Sequence, residues 1–314
     1  MSSYDLTLDV EDDLVTFDAV AEISLRPTES LDELRFDLDG LKVNEATIDG
    51  VSCRIDGRAW TWCSNRRSRC PPTRPWRSGS SMRARPNRED RGARRAGVDR
   101  QPRNGQLRGA GTRRRQQLVP GQRPPWRQGN LQLRDHHPEG VEAVANGTRT
   151  GMETKDSRTT WSWSARDPMA TYLATVAIGQ YTFFEGEAPG GLPLLSAVAD
   201  EVVERAGRAA VERALGELPQ MVTVLSQRFG PYPFEIYGVI VVAEPLGFAL
   251  ETQTRSIFGD DLWAVPVIQA HELPTSGTAT RWAGVVGGHL AQRGIRHDGS
   301  GCGRRARAGG AVRR

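Results

Sequence analysis

The chain has 314 residues, of which 38% are hydrophobic and 25% are charged. This length allows two domains with ordinary cores, and this composition excludes a wholly disordered or purely fibrous protein. No apolar run approaches the roughly 18 to 20 residues that span a membrane, and the start of the chain lacks the features of a signal peptide. We therefore expect a cytoplasmic protein with no membrane partner. The four cysteines lack the paired spacing of a zinc ribbon or a disulfide framework.

The net charge of +4 conceals a very uneven distribution of charge along the chain. Residues 58–134 contain 21 Arg against three acidic residues, and residues 274–314 contain eight Arg against one. The rest of the chain has 13 basic and 34 acidic residues, a net charge of −21. Two Arg-rich blocks therefore interrupt a strongly acidic protein.

Two interpretations of the Arg-rich blocks stay open at this point. Arg contacts phosphates and stacks on bases, so the blocks could belong to an Arg-rich nucleic-acid-binding protein. The near absence of Lys and of interleaved aromatic residues weighs against a specific nucleic-acid partner. The other interpretation is out-of-frame translation of GC-rich coding DNA, which yields mostly Arg, Gly, Ala and Pro.

The first part of the chain shows the alternation of apolar and polar residues that is typical of half-buried antiparallel strands. Strands are predicted at residues 4–25 (two strands with a turn at Asp12-Asp13), 34–38, 41–48, 141–144, 159–164 and 171–182. The alternation is lost after Arg58. We therefore predict an antiparallel β domain, saddle-shaped or sandwich-like, over residues 1–186, with an irregular middle at residues 58–137.

The pattern changes after residue 186, where helical spacing of apolar residues appears. The predicted elements are one amphipathic helix over 202–229, strands over 236–242 and 247–253, and a helix over 261–273. Pro266 suits the first turn of the last helix. These elements define a second domain over residues 187–314, and the fold class is α+β.

The helix predicted over 261–273 carries His271-Glu272, which is half of the HExxH zinc motif. In that motif two His residues four apart share one helix face and bind zinc, and the Glu activates the metal-bound water. Here the sequence continues with Leu273, Pro274 and Thr275, so the second His is absent. Pro274 also disfavours continuation of the helix. A His-Glu pair alone is more often an exposed helix surface than a metal site.

Three further segments resemble the aminopeptidase N family of zinc metallopeptidases, in the gluzincin form that bacteria have. They are Pro168-Met169-Ala170-Thr171-Tyr172-Leu173-Ala174, Phe229-Gly230-Pro231-Tyr232-Pro233-Phe234 and Pro245-Leu246-Gly247-Phe248-Ala249-Leu250-Glu251-Thr252-Gln253-Thr254. The third resembles the family's glycine-x-methionine-glutamate-asparagine exopeptidase signature, and it precedes the His-Glu helix as it does in the family. The resemblance covers residues 1–57 and 138–273.

This resemblance implies a β domain followed by the start of a thermolysin-like catalytic domain, with zinc as the cofactor. It also implies a peptide substrate with a free amino terminus, from which N-terminal residues are released. His271 would be the first zinc ligand, Glu272 the general base and Glu251 the group that binds the substrate's α-amino group. The family's second His, third-ligand Glu and downstream Tyr are absent, so we predict that this chain is inactive. A non-catalytic peptide-binding remnant is a further alternative.

The Arg-rich blocks also resemble the family when their back-translated codons are read out of register. From the second codon base, residues 118–137 can encode WFPANDRPGDKATYNFEITT, and residues 289–298 can encode TWLNEGFATM. From the third base, residues 274–280 can encode HQWYGD, which restores His-Glu-Leu-Ala-His from His271 onward. The restored His and Glu are 19 codon steps apart, the family's ligand spacing. We therefore predict a frameshifted, truncated fragment with an out-of-frame tail at 274–314.

One motif falls outside this resemblance. Asn146-Gly147-Thr148 fits a glycosylation sequon, which has a function only in a secreted protein. The patterns in the sequence predict no oligomeric state.

Overall fold

The structure is a computed structural model, and strands dominate the part of the chain that it describes. It describes residues 3–14, 16–25, 33–37, 41–52, 54–56, 60–64, 81–86, 105–109 and 129–278. The strands are β1 (Ser3–Val10), β2 (Phe17–Ser24), β3 (Glu33–Asp37), β4 (Leu41–Ile48), β5 (Val51–Ser52), β6 (Arg54–Asp56), β7 (Trp60–Ser64), β8 (Ser81–Pro86), β9 (Gly105–Gly109), β10 (Gly129–Pro138), β11 (Glu142–Ala145), β12 (Thr148–Lys155), β13 (Arg158–Met169), β14 (Thr175–Gly179), β15 (Tyr181–Ala188), β16 (Leu192–Ala199), β17 (Val239–Val241), β18 (Ala249–Leu250) and β19 (Ser256–Phe258).

Every α-helix in the described residues lies after strand β16 in the chain. They are α1 (Asp200–Ala206), α2 (Arg208–Leu215), α3 (Leu218–Phe229) and α4 (Pro266–Thr278). None of the described helices is long and apolar enough to cross a membrane. The combination of mixed sheets with few helices confirms the α+β fold class.

The first domain is built on an eight-stranded sheet with the strand order β12-β13-β10-β1-β2-β8-β4-β5. Its neighbouring strands are antiparallel, as predicted, except for β1 and β10, which run parallel. The alternating apolar residues of β1 (Tyr4, Leu6, Leu8 and Val10) are buried, as the alternation predicts. The turn between β1 and β2 is closed by Asp13, whose carboxylate accepts the Thr16 N–H at 2.7 Å.

Strand β10 lies inside the large sheet, although its first nine residues fall in the segment predicted to be irregular. It pairs with β1 on one side and β13 on the other. Leu131 and Leu133 are buried and Gln132 is exposed, so a short period-two pattern was sufficient to form a sheet strand despite the neighbouring Arg residues. The prediction of irregular structure is therefore wrong for 129–137. Short strands also occur at β7, β8 and β9, and the rest of 58–137 lies outside the described residues.

Two three-stranded sheets complete the first domain, with the orders β11-β14-β9 and β3-β7-β6. The strand predicted over 171–182 is interrupted: Thr171–Leu173 forms a 3-10 turn, β14 follows it, and β15 begins after Gln180. The turn is closed by the N–H of Leu173, which donates to the carbonyl of Ala170 at 2.9 Å. Apolar composition alone did not reveal this turn.

The second domain contains a five-stranded sheet with the order β15-β16-β17-β19-β18. Strands β16, β17 and β19 are parallel, and β15 and β18 are antiparallel edge strands. Because β15 already belongs to this sheet, the change from one domain's sheets to the other occurs near Gln180. The boundary predicted at residue 186 falls inside a strand.

Three helices cover the range where one amphipathic helix was predicted. The break between α1 and α2 is at Gly207, whose φ of 82° lies in the left-handed region that favours glycine. The break between α2 and α3 is at Gly216, and Pro219 lies in the first turn of α3. The apolar spacing persists across both breaks, because Val202, Val211 and Val222 are all buried.

Candidate functional site

Helix α4 has a buried side and an exposed side, and the His-Glu pair lies at the boundary between them. Gln269, Glu272 and Leu273 are buried, three and four residues apart, and α4 packs against β18 and β19. His271 is exposed. The helix therefore holds the Glu272 carboxyl inside the protein while the imidazole of His271 faces outward.

The two prolines of α4 differ in their fit to the helix. Pro266 is its first residue, as expected, because its fixed φ and missing N–H suit that position. Pro274 lies in the interior, and the helix continues to Thr278 although a proline there disfavours continuation. An interior proline costs about 3 kcal/mol. Burial of Leu273 in the core beside it offsets part of this cost.

Glu251 follows β18 in a segment that is fixed before and after it. Before it, the carboxylate of Asp261 accepts the N–H groups of Leu246 at 3.3 Å and of Gly247 at 2.9 Å. After it, the hydroxyl of Thr252 donates to the carbonyl of Arg255. Because these bonds tie the segment at two places, the backbone that carries Glu251 has a defined position.

The turn after Glu251 is polar and buried, which is unusual for a loop. Residues 252–256 are all buried, and Thr254 has a φ of 66°, in the left-handed region that a β-branched residue rarely adopts. Such a conformation persists only where the surroundings hold it, so the turn is held by its hydrogen bonds to the first domain.

Arg255 makes a further connection to the first domain. Its guanidinium donates to the carbonyl of Leu195 at 2.9 Å and to the carbonyl of Gly147 at 2.8 Å, and it stacks on Trp163 at 5.4 Å from the ring centroid. Burial lowers the pKa of Arg255 to about 10, against the opposing influence of Tyr232 and Glu235. One buried side chain thus joins β16 of the second domain to the first domain.

The charges of Glu251 and His271 both act on the carboxyl group of Glu272. Burial raises the pKa of Glu272, the negative charge of Glu251 raises it further, and the positive charge of His271 opposes both. Burial, followed by the charge of Glu251, also raises the pKa of Tyr172. Burial raises the pKa of Tyr237, with Glu272 adding to the effect and a hydrogen bond to Ser256 opposing it. Two carboxyl groups and two phenols therefore share one acidic region.

The chemistry of the residues in this region does not fit a zinc site. Among the described residues, no group of three His, Cys, Asp or Glu is arranged to hold a metal ion. Thr275 stands one turn after His271, where the second ligand of an HExxH motif belongs. A Thr hydroxyl is not among the groups that ligate zinc in structural or catalytic sites. The described residues therefore support no zinc-dependent step.

The sequence patterns assigned no function to four residues that the structure brings to this region. Tyr172 lies in one of the segments that carry the family resemblance, and Tyr237 and Arg255 lie close to two others, but none had a role. In the sequence, Asn146 is recognisable only as part of a sequon. Its Nδ2, the atom that would carry a glycan, is buried and donates to two backbone carbonyls, so the folded chain cannot be modified there.

The described residues form a β domain followed by a small α+β unit, in which the segment that carries Glu251 precedes the helix that carries His271 and Glu272. Two solved structures share the fold. Each match covers 87% of this chain and 62% of the chain in the solved structure. One is a two-domain M1 zinc metallopeptidase mutant bound to L-arginine, with a TM-score of 0.65 and 21% identity. The other is an M1 zinc metallopeptidase mutant from Deinococcus radiodurans bound to a Tyr-Ser-Ala substrate, with a TM-score of 0.64 and 22% identity.

These similarities establish the fold, and the N-terminal β domain corresponds to the N-terminal domain of M1 peptidases. No family model and no curated protein matches the chain. The chain spans 62% of the length of the structures that it resembles.

Proposed function

We propose that this chain is a fragment of a zinc-dependent aminopeptidase that retains the group for binding a peptide's amino terminus and lacks the zinc centre. The observation that carries the proposal is the position of Glu251 on a fixed segment, within charge range of Glu272 and Tyr172. The proposed ligand is a peptide with a free amino terminus. The bound amino acid and peptide in the similar structures agree with this ligand class.

The physical basis of recognition is the acidic region itself. Glu251 and Glu272 repel each other, and this repulsion contributes to the raised pKa of Glu272. An α-ammonium group placed beside Glu251 would relieve the repulsion and form a charge-assisted hydrogen bond with its carboxylate. An acetylated amino terminus has no charge and would gain neither.

Hydrolysis is not part of the function that we propose for this chain. In the parent enzyme, the resemblance makes His271 the first zinc ligand and Glu272 the general base. Here Thr275 occupies the place of the second ligand, so the chelation that would hold zinc is lost. We therefore propose that this chain descends from metallo-aminopeptidases and has no zinc-dependent activity itself.

We propose that frameshifts in the coding DNA caused the loss of the zinc centre, and two structural features support this origin. The restored His straddles positions 274 and 275, on the part of α4 that continues to Thr278. In β10 the second-base reading places Ile at 135 and Thr at 137, where this chain has Asp135 and His137. Both positions are fully buried, and a residue that cannot ionise costs less to bury than an ionisable one.

The Arg-rich composition favours a second candidate function, which is nucleic-acid binding. Arg charge without a base-reading scaffold would give weak, sequence-independent and steeply salt-sensitive binding, and the acidic remainder of the chain would oppose it. We therefore propose no specific nucleic-acid partner.

A cytoplasmic location and the absence of a membrane partner are also part of the proposal.

Activity measurements on the 314-residue chain test the proposed loss. Incubated with zinc and amino-acyl reporter substrates, the chain should show no chelator-sensitive hydrolysis. Restoring the shifted codons together with the downstream domain should bring back zinc binding and hydrolysis, and Glu272→Gln in the restored protein should abolish hydrolysis again. Chelator-sensitive cleavage by the unrestored chain would contradict the proposal.

A further inference from the structure

Asn146 is buried where the first domain meets the segment that carries Glu251. Its exposed fraction is 1%. Its Nδ2 donates to the carbonyls of Leu173 at 3.1 Å and Gln253 at 2.6 Å, and its Oδ1 accepts the N–H of Thr175 at 2.7 Å. The side-chain amide therefore uses both N–H donors and its oxygen.

The partners of Asn146 belong to the two backbone segments that form the acidic region. Leu173 is the last residue of the 3-10 turn that carries Tyr172. Gln253 lies two residues after Glu251. One buried amide thus ties the backbone beneath Tyr172 to the backbone beneath Glu251, and the two side chains also interact through their charges.

The neighbouring Gly147 makes this connection rigid. Its N–H donates to the hydroxyl of Thr254 at 2.7 Å, and its carbonyl accepts the guanidinium of Arg255 at 2.8 Å. Its φ is +77°, and a Cβ at this position would lie 2.1 Å from the carbonyl oxygen of Ser164. Only glycine fits this close approach, so the Asn146-Gly147 turn is held directly against β13.

We propose that Asn146 is a positioning residue that sets the place of Glu251 relative to Tyr172, and thereby determines the preference of this chain for an unblocked amino terminus. The proposal rests on the proposed function of Glu251. The requirement is for an amide, because Leu173 and Gln253 need donors while Thr175 needs an acceptor. Ser is too short to reach all three groups, and a carboxylate has no donor.

The test compares binding of two peptides to the full 314-residue chain by calorimetry. The peptides are Tyr-Ser-Ala and its N-acetylated form, and the measured quantity is the ratio of their dissociation constants. We expect the native chain to prefer the free peptide by about tenfold, the size expected for one charge-assisted hydrogen bond. Asn146→Ser should reduce the ratio to about one. A general loss of stability weakens the binding of both peptides by the same factor and leaves the ratio of their dissociation constants unchanged.

Matched variants separate positioning from stability. Val144→Ala removes buried methyl groups from β11, which ends one residue before Asn146, and it should keep the native ratio. Thr254→Val removes the acceptor of the Gly147 N–H and should lower the ratio, whereas Thr254→Ser keeps the acceptor and should restore it. This second pair provides the test if Asn146→Ser does not fold.

The outcomes distinguish the two proposals. If the native chain shows no preference, the role of Glu251 is wrong and the positioning role of Asn146 is wrong with it. If the native chain prefers the free peptide and Glu251→Gln abolishes that preference, the proposed function stands. In that case, an unchanged ratio in folded Asn146→Ser, or in Thr254→Val if the former does not fold, would overturn the positioning role alone.

Discussion

Two regions of this molecule accommodate buried ionisable side chains in different ways. Arg255, in the segment next to Glu251, donates to two backbone carbonyls at 2.9 and 2.8 Å and stacks on Trp163. Asp135 and His137, on β10, are equally buried, but the Asp135 Oδ2 and the His137 Nε2 are 3.7 Å apart, beyond hydrogen-bond distance.

The difference indicates where the sequence suits its fold. A buried charge is tolerated when its hydrogen-bonding groups are matched, as those of Arg255 are on two sides. On β10 the period of the residues fits the sheet, while two of the buried residues, Asp135 and His137, are ionisable. This contrast is what the proposed frameshift would produce, since it can preserve a strand pattern by chance without preserving its chemistry.

The largest expected effect comes from removing the guanidinium of Arg255. Arg255→Met should destabilise the chain by about 3 kcal/mol, because the carbonyls of Leu195 and Gly147 lose their donors inside the protein. The free energy of unfolding in urea measures this. Arg149→Met is the control: Arg149 also stacks on an aromatic ring, Trp161 at 5.6 Å, but it is partly exposed, and its loss should cost under about 1 kcal/mol. Equal losses in the two variants would contradict our interpretation of Arg255.

Replacement of the two buried ionisable residues of β10 should change stability in the opposite direction. Replacing both residues with those of the second-base reading, Asp135→Ile with His137→Thr, should stabilise the chain by about 2 kcal/mol, because ionisable groups leave the core. Gln132→Ile is the control on the exposed face of the same strand, and it should change stability by less than about 0.5 kcal/mol. Destabilisation by the double substitution would count against the frameshift.

These contrasts also show which parts of the structure the sequence could predict. Strands β1 and β2 were predictable because one face is buried and the other is solvated, which imposes a strict alternation. The helix that carries His271 and Glu272 was predictable from a resemblance and from Pro266. The breaks at Gly207 and in the 3-10 turn were not, because apolar spacing continues through both.

The connections across the two domains were beyond the reach of sequence patterns. Asn146 and Gln253 are 107 residues apart, and Gly147 and Arg255 are 108 apart. No local propensity or periodicity encodes such a pair. Each partner is also an ordinary polar residue in its own segment, and only the folded chain shows that the Asn146 amide is fully used and that the two terminal nitrogens of the Arg255 guanidinium each donate to a carbonyl.

The next prediction concerns the effect of His137 on how stability depends on pH. Burial, with the nearby positive charge of Arg158, lowers the pKa of His137, against the opposing hydrogen bond to the Pro138 carbonyl. Below the ordinary pKa of His, the unfolded chain therefore binds a proton that the folded chain does not, so stability falls as the pH falls through this range. Relative to His137→Thr, the native chain should lose stability between pH 7.5 and pH 5.5 in urea unfolding. A difference that is independent of pH would show that His137 titrates as it does in the unfolded chain.

The smallest expected effect tests the acidic region directly. Glu251→Gln removes a negative charge, so the pKa of Tyr172 should fall toward its ordinary value, although burial keeps it raised. The pKa of Glu272 should fall for the same reason. NMR titration of ring-labelled tyrosine measures the first shift, with Tyr172→Phe identifying the signal. Glu251→Asp retains the charge and should leave much of the shift, and Glu187→Gln, at an exposed position of β15, should leave all of it. An unchanged pKa for Tyr172 in Glu251→Gln would mean that the two side chains do not share a site, and the proposed recognition of an amino terminus would lose its basis.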